Sequence, residues 1–162
     1  MSKIIIEGQK ELSGEICISG AKNSAVALLP AATLCKTKST IYNVPEIRDI
    51  DYLIKIMEHL NCKVEEKNGA ISIDTSKLKN RPIPEELSVQ MRASYYFMGA
   101  LLAKFGKVEM SFPGGCNIGA RPIDIHIQQL QLHLNYKIKG KSNPKRNATD
   151  IGIFLKHYEV LH

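Results

Sequence analysis

"HLNCKV", His59 to Val64, returns as "HLNYKI", His133 to Ile138, 74 residues further on. A stretch this specific, met twice, marks an internal repeat and decides the fold. The match extends outward. "RDID" (Arg48 to Asp51) returns as "RPID" (Arg121 to Asp124) after 73 residues. "AKNSA" (Ala21 to Ala25) has its counterpart in "MRASY" (Met91 to Tyr95) after 70, which sets Lys22 against Arg92 and Ser24 against Ser94. Each copy reads helix, strand, helix, strand. A period this long, built of mixed elements, predicts a pseudo-symmetric α/β domain rather than a solenoid of short repeats.

Local patterns fill in the first copy. "KIIIEG" and "GEICIS" read as strands ahead of it. "GAKNSAVALLPAATLC" fits a buried helix beginning near Lys22, with a kink or break expected at Pro30. "STIYNV" is a strand. "IRDIDYLIKIMEHL" is an amphipathic helix with Ile47, Ile50, Ile54, Met57 and Leu60 on one face. "CKVEEK" and "AISID" flank Asn68-Gly69, a strong hairpin signal.

The second copy follows. "EELSVQMRASYYFMGALLAKF" reads as one helix, with Ser88 a possible cap. "KVEMSF" is a strand, "RPIDIHIQQLQLHL" a helix with Pro122 in its first turn, and "YKIK" a strand. From Gly140 to His162 the rhythm breaks: "KGKSNPKRNATD" reads as a loop and "IGIFLKHYEVLH" as a strand or short helix.

Composition narrows the function classes. The chain has 162 residues, 44% of them hydrophobic, enough for a real core. No apolar run is long enough to span a bilayer, and "MSKIIIEGQKEL" is not a signal peptide, so a cytoplasmic location and no membrane partner are expected. Cys17, Cys35, Cys62 and Cys116 form no C-x-x-C pair and are expected to be free thiols. Of the net charge of +6, five charges lie in "KIKGKSNPKR" (Lys137, Lys139, Lys141, Lys145, Arg146), which leaves +1 for the rest. With 6% aromatics and no tryptophan, this pattern argues against nucleic acid as a partner. The five histidines make no metal pair in register, so no metal is expected.

Four places could carry chemistry. In "PGGCNIGARP", Pro113 to Pro122, Cys116 sits among Gly114, Gly115 and Gly119, near a helix start and Arg121. That setting suits a reactive thiol on a mobile loop, and equally a small apolar residue tucked into a turn. Lys22 and Asn23 stand at a strand-to-helix turn, where backbone N–H groups favour anions; they also fit an ordinary solvated helix start. Arg92 interrupts an apolar surface and wants a carboxylate or a phosphate. Asp124 and Arg121 flank Pro122 at a second helix start, as an acid favoured by the dipole or as a reader of a sugar or base.

"SGAKNSA", "MRAS" and "PGGCNIGARPID", with their spacing, resemble the N-terminal part of the enolpyruvyl transferase family, in the branch of UDP-N-acetylglucosamine 1-carboxyvinyltransferase. The resemblance covers roughly Met1 to Ile127, and no match is evident after Lys139. It implies an α/β fold of repeated βαβαββ units, an inside-out barrel, here incomplete. Residues 1–21 would be strands packing on a second domain, 22–139 two repeats of the first domain, and 140–162 a divergent basic tail. It implies transfer of the enolpyruvyl group of phosphoenolpyruvate to the 3′-hydroxyl of UDP-N-acetylglucosamine, the step that opens peptidoglycan synthesis, without metal or organic cofactor. Carried onto this sequence, Lys22, Asn23 and Arg121 would bind phosphoenolpyruvate. Arg92 and Arg121, Pro122, Ile123, Asp124 and Ile125 would meet the UDP-sugar, and Cys116 would protonate the methylene carbon. The family's general base and further arginines belong to a C-terminal part that does not match here. The chain is therefore expected to be a truncated form with little turnover, or a non-catalytic UDP-sugar-binding or partner-binding fragment that pairs with a complementary C-terminal half.

Overall fold

The computed structural model describes residues 3–8, 11–111, 125, 136–138 and 152–157. The order is α1 (Lys22–Ala32), β1 (Ser39–Ile41), α2 (Arg48–His59), β2 (Lys63–Lys67), β3 (Ala70–Asp74), α3 (Glu85–Ser88), a 3₁₀ turn (Arg92–Tyr95), α4 (Tyr96–Phe105), β4 (Lys107–Ser111), β5 (Tyr136–Ile138) and β6 (Gly152–His157).

The first copy folds as its pattern demands. α2 buries Ile50, Leu53, Ile54, Ile56 and Met57, each worth about 1.5–3 kcal/mol when fully buried, and carries Asp49 and Asp51 in the first turn, where the dipole favours acids. Asn68 and Gly69 take φ of 50° and 70°, the left-handed pair that a two-residue hairpin needs. The hairpin closes with Lys67 opposite Ala70. β3 then enters between β1 and β2, antiparallel to both, so β1 and β2 run parallel with α2 as their crossover.

The second sheet repeats this order. β6 lies between β4 and β5 and is antiparallel to both. "IGIFLKHYEVLH" thus resolves as a strand over Gly152–His157, in the place that β3 holds in the first copy. Each copy therefore has three strands: the hairpin already implied the third in the first copy, and β6 supplies it in the second. The helix expected over "RPIDIHIQQLQLHL" lies outside the described residues except Ile125, which is helical.

Three expectations are corrected. "KIIIEG" and "GEICIS" join neither sheet, because a strand requires a neighbour's N–H and C=O groups and none is offered within the described residues. α1 runs through Pro30 without a break and ends two residues later at Ala32, so the hydrogen bond that the proline cannot donate falls in the last turn of the helix. The long helix over 85–105 is interrupted. The Ser94 hydroxyl donates to the carbonyls of Ser88 (2.8 Å) and Met91 (2.9 Å), and the Ser88 hydroxyl donates to that of Pro84 (3.2 Å). Side chains that take nearby carbonyls offer the backbone an alternative to continuous helix. Ser88 is therefore not an N-cap; Pro84 holds that position for α3, and Met91 holds it for the turn that follows.

The core lies where α1 packs on α2 and α4, with Leu29, Leu53, Ile56, Met57, Phe97, Leu101 and Val108 fully buried. Lys104 ties α4 to the end of α1, its ammonium donating to the carbonyls of Thr33 (2.6 Å) and Cys35 (2.9 Å). The connection between the copies is pinned at both ends. Lys79 N–H donates to Leu60 O at 2.8 Å, and Ile83 N–H donates to Glu109 O at 2.9 Å.

Candidate functional site

The start of α1 is set by a close backbone approach. Gly20 N–H donates to the Asn43 side-chain oxygen at 3.0 Å. A Cβ at Gly20 would fall 1.8 Å from the Asn43 carbonyl oxygen, so only glycine fits. Asn43 itself takes φ of 53°, and the next residue, Val44, donates its N–H to Gly69 O at 2.8 Å. The chain entering α1, the exit of β1 and the Asn68-Gly69 turn are thereby locked together.

This lock brings Lys22 over the first turn of α2. The Lys22 ammonium lies 2.6 Å from an oxygen of the Asp49 carboxylate, with the two side chains 56% and 32% exposed. An exposed pair of this kind stabilises by about 0–1 kcal/mol, so its effect is to orient Lys22 more than to hold the fold. Asn23 is exposed beside it, and Arg48, the first residue of α2, is exposed as well. Ala21 gives α1 no side-chain cap. Two helix starts and the side chains of Lys22, Asn23 and Arg48 thus share one corner of the first copy.

Arg92 occupies the corresponding place in the second copy. The interruption after α3 makes Arg92 the first residue of a new helical turn, as Lys22 is the first of α1. It is half-buried. Behind it the rings of Tyr95 and Tyr96 stack with centroids 4.4 Å apart. Burial, the hydrogen bond with Tyr96 and that neighbour's charge push the Tyr95 phenol up to about 12, against the pull of the Arg92 guanidinium.

Cys116, Arg121, Pro122, Ile123 and Asp124 lie outside the described residues. Ile125 is described and is 62% exposed. Reading the sequence missed Arg48 and Asp49. The repeat of "RDID" as "RPID" marks this helix start, but spacing along the chain does not reveal that Lys22 lies opposite Asp49.

An open cleft of about 460 Å³ lies between Val44–Asp51 and the Glu66–Ile71 hairpin. Arg48 and Lys67 face Glu46, Asp51 and Glu66 in its lining, so it carries no excess of positive charge to attract an anion. Among the described residues, no three His, Cys, Asp or Glu side chains converge as a metal ion would require. Cys17, Cys35 and Cys62 are free. Cys62 is buried, and burial pushes its thiol up to about 11, which makes it unreactive. No helix among the described residues is long and apolar enough to cross a membrane.

The duplicated α/β unit with basic residues at corresponding helix starts defines a class. The family model described as EPSP synthase (3-phosphoshikimate 1-carboxyvinyltransferase) matches residues 6–153, and the chain belongs to this family of enolpyruvyl transferases. The match runs past Lys139, where reading the sequence found none.

Relatives sharpen the branch. A UDP-N-acetylglucosamine 1-carboxyvinyltransferase of Caldanaerobacter subterraneus subsp. tengcongensis is 52% identical over 79% of this chain and 31% of its own length. One of Streptococcus agalactiae is 44% identical over 93% of this chain and 36% of its own. The chain thus spans about a third of the curated relatives it matches. Among solved structures, the enolpyruvyl transferase NikO from Streptomyces tendae aligns with a TM-score of 0.72 at 20% identity, over 93% of this chain and 31% of that one. EPSP synthase from Acinetobacter baumannii aligns with 0.63 at 16%, over 86% of this chain and 31% of that one. At these identities the likeness speaks for the fold alone.

Proposed function

We propose that this chain carries part of the active site for transfer of the enolpyruvyl group from phosphoenolpyruvate to the 3′-hydroxyl of UDP-N-acetylglucosamine, a cytoplasmic step of peptidoglycan synthesis. The observation that carries this reading is Lys22, beside Asn23 at the start of α1, held over α2 by Asp49. The named reaction of relatives at 44–52% identity supplies the substrates.

In this reading Lys22, Asn23 and Arg121 bind phosphoenolpyruvate. Arg92 and Arg121, with Pro122, Ile123, Asp124 and Ile125, meet the UDP-sugar. The sugar hydroxyl gives its proton to a base outside the residues assigned here and adds to C2 of phosphoenolpyruvate, while Cys116 gives a proton to C3. Phosphate then leaves as C3 gives its proton back. Cations against two anionic substrates supply the electrostatic stabilisation such a step needs. The 162 residues alone are expected to turn over little, because the base on the sugar hydroxyl is not among the residues assigned here. The test is phosphate release from the two substrates, with and without the C-terminal remainder of a full-length relative. Release at the normal rate from the chain alone would refute the partial-site reading. No release even with the remainder would refute the assignment of the reaction.

A second reading rests on Arg92, half-buried at the head of its helical turn: a module that binds the UDP-sugar, or pairs with a complementary C-terminal half, without turnover. Calorimetric titration of UDP-N-acetylglucosamine separates it from an inert chain. Binding that Arg92→Ala abolishes supports the module.

A further inference from the structure

The triplet His59-Leu60-Asn61, repeated in the sequence as His133-Leu134-Asn135, has no part in the proposed reaction. In the first copy each of its members binds the connection that leads to the second. His59 is the last residue of α2, and its ring nitrogen Nε2 lies 2.8 Å from Pro82 O. A carbonyl only accepts, so Nε2 carries the proton and donates. Leu60 O accepts from Lys79 N–H at 2.8 Å. The Asn61 amide donates to Lys77 O at 2.8 Å, from a backbone φ of 70° that asparagine tolerates. The Arg81 guanidinium returns a hydrogen bond to His59 O at 3.3 Å. Residues 75–82 form neither helix nor strand, so these contacts, and no backbone ladder, set their course along the end of α2.

From Pro82 the hydrogen bonds run on to the head of the second copy. Ile83 is buried, bridges Met110 of β4 in parallel, and donates its N–H to Glu109 O at 2.9 Å. Pro84 O accepts from the Ser88 hydroxyl, and Ser88 O accepts from the hydroxyl of Ser94, two residues past Arg92. In the other direction α2 is one unbroken helix back to Arg48, and its second residue, Asp49, holds Lys22. One helix and one series of hydrogen bonds thus connect Lys22 to Arg92, and the triplet joins the two.

We propose that His59 is a positioning residue: with Asn61 it clasps the connection to α2, and so fixes where Arg92 stands relative to Lys22. The clasp itself is independent of the enzymatic reading, and its effect on substrate rests on that reading.

Hydrogen exchange of the whole chain gives the first test. His59→Ala removes the donor, and the amides of Ile83, Ser88 and Ser94 are expected to exchange about fivefold faster. Val44, whose N–H is bonded within the first copy, is expected to be unchanged. His59→Gln places an amide nitrogen where Nε2 stood and is expected to restore slow exchange. His59→Asn is too short to reach Pro82 and is expected to behave like alanine. Faster exchange that stops at Ile83, that spreads to Val44, or that glutamine fails to reverse would overturn the proposal. Calorimetric titration of UDP-N-acetylglucosamine gives the second test, with Arg92→Ala as its reference. Where Arg92→Ala abolishes binding, His59→Ala and His59→Asn are expected to weaken it about fivefold and His59→Gln to leave it unchanged. Binding that needs Arg92 and ignores His59 would overturn the proposal. Binding that ignores Arg92, or no binding at all, would instead refute the assignment of Arg92 to the sugar, and exchange alone then decides the clasp.

Discussion

The two copies share a topology and differ in how they hold their helix starts. In the first, Gly20 lets the backbone close on Asn43, and the cation Lys22 is aimed by Asp49 across the gap between two helices. In the second, the residue at Gly20's position is Gln90, which is exposed, and the helix start is made by serine hydroxyls taking carbonyls. The same end, a basic residue at the head of a helical turn, is reached by a backbone contact in one copy and by side-chain back-bonding in the other. Their hairpins differ as well. Asn68-Gly69 turns the first tightly, while residues 139–151 separate β5 from β6.

The contrast is broken most severely at Gly20. Gly20→Ala drives a Cβ into the Asn43 carbonyl oxygen, and backbone must move because no flexible side chain is there to yield. Overpacking of this kind costs about 1–3 kcal/mol or more, so a clear drop in the denaturant midpoint is expected. Gln90→Ala, at the same place in the second copy, is expected to change stability by less than about 0.5 kcal/mol. Equal losses at the two positions would show that the copies hold their helix starts in the same way.

Ser94 gives the next largest effect. Its hydroxyl is fully buried and donates to two carbonyls, so Ser94→Ala is expected to cost about 1–3 kcal/mol. Ser24, its counterpart, is exposed, and Ser24→Ala is expected to fall within about 0.5 kcal/mol. Chemical denaturation of both variants checks the difference. The serine pattern also explains why periodicity alone predicts one continuous helix here. Periodicity sees the apolar faces of 85–105 and joins them into one helix. It does not see a hydroxyl that competes for a backbone carbonyl.

α2 and the Asn68-Gly69 hairpin were legible because each rests on a local pattern, a repeating apolar face or a pair of left-handed residues. The N-terminal strands were not, because β-propensity states what a segment favours and says nothing about whether a neighbour exists to pair with it. β6 was half legible: the break in charge and composition before it obscured that it completes the second sheet. At the candidate site, the placing of Lys22 and Arg92 at corresponding helix starts was legible from the repeat, whereas Asn23, which stands against Ala93, was singled out by the strand-to-helix turn alone. Asp49 was not legible, since its partnership with Lys22 is a contact between two helix starts that no spacing along the chain reveals.

Cys62 sharpens the comparison in a different way, since Tyr136 stands in its place in the second copy. Burial raises the Cys62 thiol from 9.0 to about 11, so the folded state keeps a proton that the unfolded state gives up. Its contribution to stability is therefore complete below pH 9 and is lost as pH rises toward about 11. Stability measured across that window should fall, and Cys62→Ala should fall less steeply despite starting lower. Alkylation at neutral pH should label the exposed Cys17 and Cys35 and spare Cys62.

The smallest effect on stability is expected where the effect on function matters most. Asp49→Asn removes the charge that aims Lys22, and because the pair is exposed, stability should change by less than about 1 kcal/mol. If Asp49 only decorates the surface, phosphoenolpyruvate binding should be unchanged or slightly tighter, since a nearby anion has been removed. If it positions Lys22, binding should weaken despite the gain in net positive charge. Calorimetric titration, with the C-terminal remainder supplied if the chain alone does not bind, separates these two signs. Electrostatics alone favours the variant and positioning alone favours the original, so the direction of the change identifies which governs the corner where the two helices begin.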